Sequence, residues 1–349
     1  MKIKMIKNKV GREMPSHIEG YGDVKPYAGP FATKASGYKY APIKIGSKPG
    51  DNKIVASLKE AIKKVGLKDG MTISFHHHLR NGDYVLNMVM EEIAKMGIKN
   101  INLVASSLTS AHEPLLGHIK NGVVTGINTS GLRGEIAKEV SKNNILKKPV
   151  IFRTHGGRAR AIEAGEIKID VAFIAAPSCD KMGNMNGMEG KSAFGAMGYP
   201  MVDAEYADRV IAITDNSQPF PLKKISIPMT LVDYVVVVDS IGDPEKIATG
   251  AARLTKNPQE LLIAENAAKV LIASGYVKEG FSFQAGTGGS SLAVCKFIED
   301  CMHANNIKGS FAAGGITGYM VDMLKEGYFE ALLDTQSFDT AAAKIYSRE

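Results

Sequence analysis

Phe281-Ser-Phe-Gln-Ala-Gly286-Thr287-Gly288-Gly289-Ser290-Ser-Leu-Ala-Val294 is followed, one helix later, by Gly309-Ser-Phe-Ala-Ala-Gly314-Gly315-Ile-Thr-Gly318-Tyr319. Each apolar run reads as a strand, and each ends in glycines that open a helix, Gly286 to Ser291 in the first and Gly314 to Gly318 in the second. Glycine lacks a Cβ and accepts positive φ, so successive peptide N–H groups can converge on an oxygen at a helix N-terminus. Such a cradle suits a phosphate or the oxyanion of an attacked thioester. A single turn of this kind is a weak signal, because any strand-to-helix connection can need one. Two of them on neighbouring strands are a stronger one.

Outward from this stretch the chain reads as repeated βα units, beginning near Asp51. Apolar spacing predicts a helix over Asn52 to Val65, a strand at Thr72 to Phe75, a helix over Tyr84 to Met96 and a strand at Asn100 to Ala105. Strands follow at Val123 to Asn128, Val150 to Arg153, Asp170 to Ala175, Arg209 to Thr214 and Tyr234 to Asp239. Helices are predicted near Glu113 to Lys120, at Gly134 to Lys142 and at Ala159 to Ala164. Asn257-Pro-Gln-Glu260 has the cap, the proline and the glutamate of a helix start, and that helix runs to Ser274. The alternation implies an α/β fold built on largely parallel sheets. Three segments result: a basic extended arm over residues 1–50, a first α/β domain over 51–255, and a second over 256–349. The second is expected to be truncated, since few strands follow before Glu349. The arm reads equally well as a solvated tail.

Composition narrows the function classes. No apolar run approaches bilayer length, and the amino-terminal lysines precede no long apolar segment, so no membrane association is expected. Cys179, Cys295 and Cys301 are too few and wrongly spaced for a metal site or a disulfide framework, which suits a cytoplasmic setting. The net charge of +7 is spread out and not gathered into stripes, which favours small anions or an acidic protein over nucleic acid.

Polar residues gather after the strands, where open parallel sheets bind ligands. Arg133 and Arg158 each precede a predicted helix, where the macrodipole disfavours a cation. Either a bound anion or a surface salt bridge explains them. His76, His77 and His78 are consecutive, so in an extended segment they point alternately to opposite sides and make no one-sided metal site. One or two of them can bind a carboxylate beside Arg80, and at least one is expected to bond the backbone instead. His155 ends another strand. Pro177 to Gly187 reads as a surface turn cluster, kept in view by its place after an apolar strand. Nucleophile-elbow, Walker and complete dinucleotide motifs are absent.

Gly70-Met-Thr-Ile-Ser-Phe-His-His, Arg80 with Gly82-Asp83, Thr129-Ser-Gly-Leu-Arg-Gly, His155-Gly-Gly-Arg, Pro177-Ser-Cys-Asp, Gly286-Thr-Gly-Gly, Gly314-Gly-Ile-Thr and Gln336-Ser-Phe-Asp together resemble the citrate lyase alpha-subunit family. The resemblance covers about Asn52 to Asp339. It implies tandem open α/β domains of the CoA-transferase (NagB/RpiA-like) type, with the site between them. Conventional CoA transferases carry a nucleophilic glutamate where Gly314 stands here. The resemblance therefore implies direct exchange: citrate attacks an acetyl thioester, a mixed anhydride forms, and the released thiolate takes the citryl group. Gly286, Gly288 and Gly289 are the expected oxyanion donors, with Thr287, Ser290 and Gly315 beside the thioester. His76, His77, Arg80, Arg133, His155 and Arg158 are the expected citrate contacts. No permanently bound cofactor is implied, since the thioester belongs to acyl-CoA or to the phosphopantetheine-type group of an acyl carrier protein. That carrier (gamma) subunit and a citryl-lyase (beta) subunit are the implied partners, in a homo- and hetero-oligomer. Three alternatives stay open: a citramalate-specific relative, a conventional transferase with a glutamyl thioester, and a small-molecule-sensing regulator on the same fold.

Overall fold

The computed structural model describes residues 3–28, 41, 42, 48, 50–247, 254–286 and 288–346. Among them, eight strands form one sheet in the order Ile54–Val55, Tyr234–Val237, Arg209–Thr214, Val171–Ala175, Thr72–Phe75, Ile101–Ala105, Val124–Thr129 and Ile151–Phe152. Every pairing is parallel. Parallel sheets are covered on both faces, and Val171–Ala175 accordingly is an unbroken apolar run with all five residues buried. The chain runs outward from Thr72–Phe75 to Ile151–Phe152, returns to Val171–Ala175 on the other flank of Thr72–Phe75, and continues to Tyr234–Val237. The direction of winding therefore reverses between these two central strands. A crevice opens at the carboxyl ends of strands at such a reversal, and His76 to His78 emerge there.

A second parallel sheet takes Ser282–Gln284, Gly309–Ile316 and Phe329–Ser337 in sequence order. Leu292, Cys295, Ile298, Met302, Ala312, Met320 and Phe329 form its core, distinct from the larger core of the eight-stranded sheet. Helix Pro258–Ala273 begins as its residues dictate: the Asn257 side chain accepts from the N–H groups of Gln259 and Glu260 behind a first-position proline. The two units are joined by backbone-directed bonds. Arg80 donates to the carbonyls of Ser337 (2.9 Å) and Phe338 (3.1 Å). His78 Nε2 lies 3.1 Å from the Thr335 carbonyl, and Gln336 Nε2 donates to the His77 carbonyl at 3.4 Å.

The structure departs from the sequence reading in four places. The segment predicted as one helix over Asn52 to Val65 splits: β-branched Ile54–Val55 adds to the sheet edge, and helix Leu58–Lys64 starts only after Ser57, whose hydroxyl accepts the Glu60 N–H. Gly314 and Gly315 do not leave the strand in a turn. Strand Gly309–Ile316 runs through them with a bulge between Gly314 and Gly315, because Phe329–Ser337 offers ladder partners up to Ser337, and Thr317 caps the next helix. Pro177 to Gly187 is no surface cluster; Ser178–Asp180 pairs with Met185–Asn186 in the interior. Asp180 makes this possible, since its carboxylate accepts from the backbone of Met182, Asn184 and Leu222 and from the Asn184 amide. Finally, within the arm the described residues form two small antiparallel pairs, Met5–Lys7 with Glu13–Pro15 and His17–Ile18 with Gly22–Asp23. Residues 1, 2, 29–40, 43–47 and 49 of the arm lie outside the described residues.

Candidate active site between the two sheets

A cavity of about 1010 Å³ lies where the carboxyl ends of the two sheets meet. From the first unit His77, Arg80, Arg133, His155, Arg158 and Tyr199 line it; from the second, Gln284, Gly286, Gly314, Gly315, Gln336 and Phe338. Two glycine segments and the charged strand ends, separated in sequence by more than two hundred residues in the case of His77 and Gly315, thus face one space.

Alternation along His76 to His78 divides their work. His76 and His78 turn inward, with their Nδ1 atoms 2.9 Å apart and His76 Nε2 3.1 Å from the Ala175 carbonyl. Burial holds His76 down to about 4 and His78 well below its ordinary value. His76, expected to contact citrate, is instead a buried link at the winding reversal and lies off the cavity wall. His77 faces the cavity. Its ring stacks on His155 at 5.5 Å between centroids and 16° between planes, with the Tyr199 ring 4.9 Å from each. Burial, then the neighbouring His155, pushes the His77 pKa well below its ordinary value; burial, then Arg158 and Arg133, lowers that of His155.

The three arginines part company. Arg158 is not ahead of its helix but inside the first turn of His155–Glu163, because the Thr154 hydroxyl caps the helix earlier by accepting the Gly157 N–H. Its counter-anion is internal: Nη2 donates to Asp203 at 2.7 Å, and both side chains are 2% exposed. This is a buried pair, not the surface salt bridge envisaged from sequence, and removing either partner would cost about 3–5 kcal/mol. Arg80, at φ 52°, spends two donors on the second unit and places its guanidinium 5.1 Å from the Phe338 ring centroid. Arg133 stands at the cap position of Gly134–Asn143 with its side chain exposed. Among the described residues its guanidinium has no ion pair or hydrogen bond. Among the described residues of this wall it is the cation that a substrate carboxylate can claim without displacing a protein partner.

On the opposite wall, Gly286 is exposed to the cavity, and a Cβ there would lie 2.9 Å from Ser291 Oγ. Gly288 caps helix Gly289–Asn305 with no side-chain hydrogen bond, which leaves the first-turn amides open. Gly288, Gly289 and Ser290 are not among the residues that line the cavity, and Thr287 lies outside the described residues. Gly314 has φ 111°, where a side chain is strained, and its Cβ would meet the Gln284 side chain at 3.1 Å. A Cβ on Gly315 would fall 1.8 Å from the Phe338 ring. The bulge is thus closed to side chains on both residues. The carboxylates that do line the cavity, Glu163 and Glu205, belong to first-unit helices.

Among the described residues no three His, Cys, Asp or Glu side chains converge to hold a metal, and no helix is long and apolar enough to cross a membrane. Ser106, Tyr199, Asp203, Gln284 and Phe338 escaped the sequence reading. Ser106 closes a strand and Gln284 precedes the glycine turn, so strand-end position was a usable signal for those two. Tyr199, Asp203 and Phe338 act through tertiary approach, which residue type does not announce.

Residues 51–349 match the family model described as "Citrate lyase, alpha subunit (CitF)". The citrate lyase alpha chain of Haemophilus influenzae is 53% identical over 298 residues, which are 85% of this chain and 59% of that one. The chain thus spans about three fifths of the length of this curated relative. A crystal structure of a citrate lyase alpha subunit from Streptococcus mutans, solved in complex with citrate, superposes with a TM-score of 0.90 at 54% identity, over 98% of this chain and 66% of that one. An acyl-CoA transferase of E. coli O157:H7 shares the fold at 13% identity, with a TM-score of 0.52 over 86% of this chain and 75% of its own.

Proposed function

The chain belongs to the citrate lyase alpha-subunit family, and from that premise we propose that it exchanges the acetyl group of a thioester for a citryl group without forming a bond to the protein. A citrate carboxylate attacks the acetyl carbonyl; the tetrahedral intermediate expels thiolate and leaves an acetyl-citrate anhydride. The thiolate then attacks the citryl carbonyl, and acetate departs. The attacking groups are already anions, so the site has no proton to remove. Its tasks are to hold two anionic partners together and to quiet each oxyanion.

The glycine bulge carries this reading. At Gly314 a φ of 111° strains any side chain and a Cβ would press on Gln284 at 3.1 Å, and at Gly315 a Cβ would strike the Phe338 ring, so an acyl-accepting side chain is disfavoured at both places beside the cavity. Arg133 supplies the free cation for citrate, with His77 and His155 beside it and Arg80 holding the second unit in place. Gly286 on the cavity wall and the start of helix Gly289–Asn305 next to it, with Gly288 and Gly289, supply the oxyanion donors. The thioester arrives on acyl-CoA or on the phosphopantetheine-type arm of an acidic carrier protein, which the net charge of +7 favours. A carrier subunit, a citryl-cleaving subunit and further copies of the chain complete the assembly. The sparse free cysteines support a cytoplasmic setting.

An exchange assay tests the reading. Acetyl-CoA and acetyl-carrier are each incubated with the protein and a panel of hydroxy-polycarboxylic acids. Citryl thioester and free acetate in equal amounts are expected with citrate. Preference for citramalate would reassign the substrate, and no exchange with any acid would favour a sensing role.

A further inference from the structure

We infer that Ser106 fixes His77 as a neutral Nε2–H donor to the oxygen that becomes negative when the thioester is attacked. This deepens the exchange reading above and rests on it. Ser106 is fully buried at the carboxyl end of Ile101–Ala105, with its amide held by the Phe75 carbonyl at 3.2 Å. Its hydroxyl lies 3.0 Å from the His77 backbone nitrogen and 2.6 Å from His77 Nδ1. The backbone N–H can only donate, so the hydroxyl oxygen accepts from it. The hydroxyl proton then has one acceptor in reach among the described residues, the Nδ1 lone pair. A buried hydroxyl left without an acceptor is costly, so Nδ1 accepts and the ring carries its one proton on Nε2. Burial and the nearby His155, Arg80 and Arg158 keep a second proton off the ring.

The ring cannot swing to change this assignment. His155 stacks on one side, Tyr199 lies against it, and the His77 carbonyl accepts from Gln336. Among the described residues Nε2 has no hydrogen-bond partner, and the residue lines the cavity. A nitrogen that already bears a proton cannot serve as a base, and direct exchange needs none, since carboxylate attacks and thiolate leaves. What remains is hydrogen-bond donation without charge. An uncharged donor favours the developing oxyanion and does not trap the citrate carboxylates in the ground state. Ser106 is accordingly a positioning residue for His77.

The test uses histidine-15N-labelled protein and the exchange assay. In the wild type, His77 Nδ1 should give the imine-type shift and Nε2 the pyrrole-type shift from pH 6 to 8. Ser106→Ala should mix the two forms and lower kcat roughly tenfold, with the KM for citrate unchanged within about twofold. Ser106→Thr, which restores the hydroxyl, should recover both the shifts and kcat. Active wild type with Nδ1 protonated, or Ser106→Ala with unaltered shifts and kcat, overturns the inference alone. Wild type that exchanges no acyl group overturns the parent reading and the donor role with it.

Discussion

Adding one methyl group at Gly315 should unsettle the wall that replaces a nucleophile. Its Cβ would stand 1.8 Å from the Phe338 ring, less than half an ordinary carbon contact, so the ring has to move. Phe338 is not free to do so without loss, because its ring lies 5.1 Å from the Arg80 guanidinium and its carbonyl accepts from that same group. Overpacking in a filled site costs about 1–3 kcal/mol. The ring edge can yield in part, which sets the expected loss for Gly315→Ala nearer 1–2 kcal/mol. Urea unfolding of Gly315→Ala, Phe338→Ala and the double variant isolates the contact. In the Phe338→Ala background the added methyl should cost less than about 0.5 kcal/mol, giving a coupling of at least about 0.5–1.5 kcal/mol. Equal losses in both backgrounds would refute the claim that Phe338 fills the place of a side chain at this bulge.

Arg133→Ala should raise the KM for citrate roughly ten- to hundredfold, the loss of one charge-assisted contact, while thioester binding changes little. Steady-state kinetics with each substrate varied in turn check this, and equal weakening of both would remove Arg133 from the citrate subsite. Acid should destabilise the fold through the buried histidines. An unfolded ring protonates near 6.5 but folded His76 waits until about 4, so the unfolded state binds more protons in between. Stability is therefore full above pH 6.5 and falls as pH drops toward 4, by roughly 3 kcal/mol from His76. Urea midpoints across this window measure it. A rise on acidification would mean that the facing Nδ1 atoms of His76 and His78 take up a shared third proton instead.

Element type was legible where periodicity and caps agreed. Val171–Ala175 and the Val210 to Ile213 stretch of Arg209–Thr214 are short apolar runs of the kind a doubly covered strand takes, and Asn257 announced its helix through its own side chain. Ile54–Val55 was misread because two β-branched residues before a serine cap fit a helical period as readily as an edge strand. The bulge at Gly314 was hidden for a related reason. Glycine marks a place where the backbone is unusual, but the partner strand decides whether the chain turns or bulges. Arg133 and Arg158 looked alike in sequence, each near a helix start. Only the fold brings Asp203 to one of them and leaves the other facing open space. That His76 and His78 share one side and His77 takes the other followed from alternation, but which side faces the cavity did not, and Ser106 beneath His77 depended on which strands lie side by side.

Direct exchange is tested most plainly by incubating the protein with acetyl-CoA, treating it with borohydride or hydroxylamine, and reading every carboxyl-bearing peptide by mass spectrometry. Unmodified Asp and Glu side chains in protein that meanwhile converts citrate to citryl thioester are the expected result. A reduced or hydroxamate-labelled carboxylate, at Glu163, Glu205 or elsewhere, formed as fast as turnover, would contradict it.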